Sequence, residues 1–154
     1  MEPVVGAGDP GLDGLRHVRA ELAGSMAGLE QALAAPTPGR HAAWAERVDA
    51  ALVELSEDFA RHVAVTEGPA GLHEAIVDAA PRLSNPVRRL GREHAVISGL
   101  VGDLLACVRP PVAAHDVDAI RDLGTALLVR LARHRQQGAD LIYQAYQVDL
   151  GGET

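Results

Sequence analysis

Proline and glycine cut this chain into four long stretches, and within each stretch apolar residues return every three or four positions. That period belongs to the α-helix, which places residues i, i+3, i+4 and i+7 on one face. The first helix is predicted over about Gly11 to Ala35, with Leu15, Val18, Leu22, Met26, Leu29 and Leu33 as its stripe. Pro36, Pro38 and Gly39 end it. The second covers His41 to Glu67, with Val48, Leu52, Leu55, Phe59, His62 and Val63 as its stripe and Trp44 as an anchor near one end. Gly68, Pro69 and Gly71 break or kink it, and a short helix, Leu72 to Ala79, precedes Pro81.

The third long helix starts at Ser84 or Asn85 as cap, with Pro86 at the first helical position, where no backbone N–H is needed. Its stripe is Val87, Leu90, His94, Ile97, Val101, Leu105 and Val108, and Pro110–Pro111 stop it. The fourth starts at His115 or Asp116, where Asp116 and Asp118 suit the positive helix end, and runs to about Gln147. No segment alternates with period two. The short connections predict an all-α, antiparallel up-down-up-down four-helix bundle over residues 11–147, kinked near Gly68–Pro69, between a flexible tail (1–10) and a short C-terminal tail (148–154).

Composition narrows this further. At 154 residues, a single domain with a real core is the natural size. Aromatics make up only 3%, so Leu, Val and Ala must fill that core, which suits close-packed helices. The net charge of −7 argues against general nucleic-acid binding and against anionic membranes. All 14 basic residues are Arg, a bias expected of a GC-rich bacterial genome. The single cysteine, Cys107, excludes an intramolecular disulfide and is expected to be a buried, inert thiol. No basic segment followed by an apolar one opens the chain, and no apolar run approaches the ~18 residues of a membrane span, so a cytoplasmic location is expected.

The chemistry lies in the histidines. His62 is three residues after Phe59, His94 four after Leu90, and His134 three after Leu131, so all three point inward. In antiparallel helices their depths, and that of His17, agree to about one helical turn. His17 itself is off the stripe of its helix, beside Asp13, Glu21 and Gly24. His41 and His115 open helices and are expected in solvent, and His73 lies in the broken segment. One inward histidine is ordinarily a core residue with its hydrogen bonds satisfied. Three at one depth, on three helices, point to a metal site, because neutral imidazole suits Fe, Zn, Cu or Ni.

Three stretches carry a resemblance: RHVAVTEGPAGL (61–72), RLGREHAVI (89–97) and LARHRQQGADLIY (131–143). With one histidine per helix, the chain resembles the hemerythrin-like (HHE cation-binding) domain family. The resemblance implies non-haem iron held between the helices, with oxygen, peroxide or metal handling or sensing as the activity and a small diatomic molecule or peroxide as the ligand. It implies His17, His62, His94 and His134 as metal ligands, His17 by depth alone. It also implies a second ligand one turn after the later histidines, where this chain has Thr66, Ser98 and Gly138. Glu67 is one residue late, and the Gly68–Pro69 kink could turn it inward. Asp140 is two late and points away. Without bridging carboxylates, the residues fit one metal ion held by three histidines and Glu67 better than two irons. As the alternative, they also fit a metal-free structural or interaction bundle that has lost the site.

Asp58 precedes His62 by one turn and is either a carboxylate that orients the imidazole or a solvent-facing residue. Arg82, Arg88, Arg89 and Arg92 read as a solvated face, and Tyr143 and Tyr146 as core or rim residues. No nucleophile–base motif points to an organic substrate.

Overall fold

The computed structural model describes residues 10–148, and every regular element among them is helical. Four long helices, α1 (Pro10–Ala34), α2 (His41–Glu67), α4 (Ser84–Val108) and α5 (Ala114–Tyr143), are joined by a short α3 (Leu72–Ala79), a 3₁₀ turn (Pro81–Leu83) and a closing π turn (Gln144–Val148). α1 packs against α2 and α5, and α4 packs against the same two, so the long helices close around one core. The expected tails lie outside the described residues, apart from Pro10 and Val148. No described helix is long and apolar enough to cross a membrane.

The helix ends follow local chemistry. Gly39 adopts φ +68°, the left-handed conformation that favours glycine, in the turn between α1 and α2. Two carbonyls at the end of α1 accept hydrogen bonds from Arg121, at 2.8 Å from Leu33 and 2.9 Å from Ala35. The same guanidinium lies 5.5 Å from the ring centre of buried Trp44 and closes that end of the molecule. Beyond Glu67 the backbone becomes extended at Gly68, so α2 ends there and helix resumes only at Leu72.

Two expected details differ. α4 begins at Ser84 without a side-chain cap, because the Ser84 hydroxyl donates to the Pro81 carbonyl of the preceding 3₁₀ turn. Pro86 is therefore the third helical residue, still within the first turn where its missing N–H costs nothing. At the start of α5, Asp116 accepts the Ala113 N–H at 3.0 Å. Alanine has no side-chain acceptor to return the bond, so only half of a capping box is present.

Buried apolar residues form two clusters. The larger runs from Trp44, Val108 and Val117 to Phe59, Ile97 and Leu131. The smaller joins Ile76, Leu83, Val87, Leu90, Leu141 and Ala145 around α3 and the ends of its neighbours. Leu104, rather than Leu105, is the buried member of the α4 stripe. Cys107, off the stripe that Leu104 and Val108 define, is exposed and not the buried thiol expected. Tyr143 and Tyr146 are likewise exposed.

Candidate metal centre

Between the two apolar clusters lies a polar layer. α2 passes from Phe59 to His62, α4 from Leu90 through His94 to Ile97, and α5 from Leu131 to His134. Each histidine continues its helix's apolar stripe, which is why all three are buried, at 9%, 3% and 1% exposure respectively.

Their rings meet through the same atom. Nε2 of His134 is 3.2 Å from Nε2 of His62 and 3.1 Å from Nε2 of His94. One ligand nitrogen from each of the three lies within 4.8 Å of the others, so a single point is within about 3 Å of all of them. Metal–imidazole bonds are ~2.0–2.1 Å long, and a shift of under about 1 Å per ring would close such a site on one ion. Phe59 forms one wall, stacked on His62 at 5.6 Å and edge-on to His94 at 5.7 Å.

The opposite ring atoms face acids. Glu67 Oε1 is 3.0 Å from Nδ1 of His94, and Glu93 Oε1 is 3.8 Å from Nδ1 of His134. Neither contact has hydrogen-bond geometry, and the buried Nδ1 atoms of all three histidines lack a hydrogen-bond partner. Glu67 therefore stands behind His94 rather than among the converging nitrogens. Gly91 makes room for it, since a Cβ there would come 2.9 Å from the Glu67 carboxylate. Burial, then the neighbouring His134 and His94, pushes the His62 imidazole down to about 3, and burial, then His94, pushes His134 down to about 4. Both rings are neutral at pH 7, the form that binds metal.

The other expected residues fall elsewhere. His17 is 75% exposed and pairs with Glu21 at 2.5 Å, so the depth match does not bring it into the cluster. Its helical phase decided the outcome. Asp58 is buried, but it accepts hydrogen bonds from Ser25 and Arg61 and does not orient His62. Arg61 continues to Glu21 at 3.3 Å, completing a polar seam between α1 and α2 that ends at His17. Ser98 is exposed, whereas Thr66 is buried and donates to the His62 carbonyl at 2.9 Å.

Thr66 and Gly138 line a cavity of about 30 Å³ beside His62 and His134. Arg19, His73 and Arg135 line it too, and sequence reasoning did not place them there. His73 had a readable signal, since it lies three residues before buried Ile76 on α3. Its ring stacks on that of His94 at 5.6 Å, and burial, then His94, lowers its pKa. The arginines had no comparable signal, because an arginine at a stripe edge ordinarily extends into solvent.

Among known proteins, no family model, no curated protein and no solved structure matches this chain. What the fold and site define, among the described residues, is an all-helical unit with three buried histidines that could hold a metal ion.

Proposed function

We propose that this chain is a hemerythrin-like, up-down-up-down bundle that binds one non-haem metal ion, iron, through His62, His94 and His134. Its activity on this reading is oxygen, peroxide or metal handling or sensing. The order in which the helices cross the layers supports the topology. α2 and α5 run from the larger apolar cluster to the histidines, whereas α4 reaches its histidine from the smaller one.

The convergence of three Nε2 atoms carries the metal assignment. Glu67 and Glu93 sit on the Nδ1 sides and favour the tautomer with the proton there. With the proton on Nδ1, the Nε2 lone pairs of His94 and His134 converge at 3.1 Å where a cation can take both, whereas with a proton on Nε2 of one ring the same contact is a hydrogen bond. Thr66 and Gly138 occupy the positions where bridging acids would stand, so the donor set suits one ion rather than two. When bound, the ion would supply Lewis acidity and, as iron, a redox couple. The chain's residues hold neutral imidazoles in place, back two of them with carboxylates and exclude bulk water with Phe59 and the apolar clusters.

A metal-free structural or interaction bundle is the second reading, and one observation favours it. Phe59 packs against all three imidazoles, as in an ordinary aromatic core. Iron-supplemented expression followed by metal analysis separates the two. The metal reading expects about one iron per chain, lost in His62→Ala/His134→Ala. Sub-stoichiometric iron and zinc, unchanged in the double variant, together with a melting temperature indifferent to chelator, would establish the metal-free reading.

A further inference from the structure

Away from the histidines, an open groove runs along the surface between α1 and α5. Met26, Leu128 and Val129 line its middle, and Val129 is 53% exposed. Charge is sorted along this groove. Leu33 lies against Gly124 at one end, and Arg19 stands beside Arg135 at the other. Glu30 lines the groove toward the Leu33 end, and Asp122, one turn before Thr125 in the lining, adds a second acid there. Arg135 lines the opposite end, and Arg19 precedes Ala23 of the lining by one turn. None of these four charged groups has an ion-pair or hydrogen-bond partner among the described residues. Nε of Arg135 is buried and unbonded. The face is thus apolar in the middle, acidic at one end and basic at the other.

We infer that this α1–α5 face binds a second copy of the chain, as a two-fold dimer in which the acidic end of each groove lies on the arginine end of the other. Such a surface is complementary to itself. An axis that lies in the face and crosses the groove reverses one copy relative to the other, and sets Glu30 and Asp122 against the partner's Arg19 and the partner's Arg135. An axis along the groove would set like charge on like, so the charges select the first arrangement. Met26, Leu128 and Val129 then meet their own copies near the axis, where exclusion of water supplies most of the energy. The area suffices. α1 has 25 residues, so a face of two helices ~37 Å long and ~18–20 Å wide measures roughly 700 Å², close to the ~800 Å² that each partner buries in a standard interface. The dimer needs no metal and is independent of the histidine centre.

Sedimentation equilibrium of the full, metal-free chain tests this. A species of twice the 16.1 kDa chain mass is expected, with a dissociation constant of ~1–100 µM. Val129→Glu, at an exposed position, should weaken association by about tenfold or more while circular dichroism stays helical. Glu30→Arg and Arg19→Glu should each weaken it by roughly threefold to tenfold. Both changes in one chain should recover most of that loss, because each swapped charge then meets a swapped partner. If Val129→Glu loses its helix, the charge-swap series carries the test alone. A chain that stays monomeric at roughly 0.5 mM overturns the inference. So does a dimer that a folded Val129→Glu leaves unchanged, or a double variant no stronger than the single ones. A chain that dimerises only once residues 1–9 are removed assigns the groove to that segment and overturns the inference equally.

Discussion

At the residue scale, the centre depends on which nitrogen of each ring faces inward. His94 and His134 turn Nε2 toward each other and Nδ1 toward Glu67 and Glu93. Carboxylates placed behind ligating histidines make the imidazole a better donor, and removing such a partner typically costs ~10–100-fold in metal affinity. Glu67→Gln removes the charge beside Nδ1 of His94 but no aligned hydrogen bond, so it is expected to weaken cobalt binding by ~2–10-fold, at or below the low end for an aligned partner, measured by competition with a coloured chelator. Glu93→Gln, acting from 3.8 Å, should have a smaller effect. Equal affinity in wild type and Glu67→Gln would mean that the acid is a surface residue that happens to lie close to the ring. Glu67, expected as a ligand from its position one residue late, reaches the outer face of His94 and not the converging nitrogens.

At the scale of elements, two glycines on α5 make opposite demands. A Cβ on Gly124 would come 2.5 Å from Leu33 Cδ1, so α1 and α5 approach closely there. A Cβ on Gly138 would meet nothing nearer than Leu90 Cδ2 at 3.8 Å. Alanine improves on glycine inside a helix by about 0.8–1.0 kcal/mol, whereas overpacking a core costs roughly 1–3 kcal/mol. Gly138→Ala should thus stabilise the protein by about 0.5–1 kcal/mol, and Gly124→Ala should be neutral to destabilising by ~1–2 kcal/mol, as read from urea midpoints at constant m. Equal stabilisation by both would show that α1 gives way at Leu33.

Across the whole molecule, the polar layer divides the core, and its protonation is coupled to folding. His62 and His134 have folded-state pKa values of about 3 and about 4, below the ~6.5 of an unfolded histidine. Between those limits the unfolded chain binds more protons, so stability rises with pH. The contribution of the two rings is complete above about pH 6.5 and is lost as pH falls toward 4 and then 3. The metal-free protein should melt roughly 5–10 °C lower at pH 5 than at pH 7.5, and His62→Leu should flatten that dependence. A wild-type melting temperature independent of pH over this range would contradict the burial of neutral rings.

How much of this was legible beforehand depended on the range of the interaction. The helices were readable from Leu22, Leu52, Ile97 and Leu131 and their spacing, since burial repeats with the helical period and proline or glycine stops each run. The inward phase of His62, His94 and His134 followed from the same arithmetic, as did the outward phase of His17. What the chain order could not show was the partner each polar group meets across the core. Asp58 was one turn from His62 yet bonded to Ser25 on another helix, and Arg19 and Arg135, 116 positions apart, came to line one cavity. Periodicity is a property of one helix and is written along the sequence. The direction of a side chain between helices depends on how α1, α2, α4 and α5 pack, and only the tertiary structure decides that.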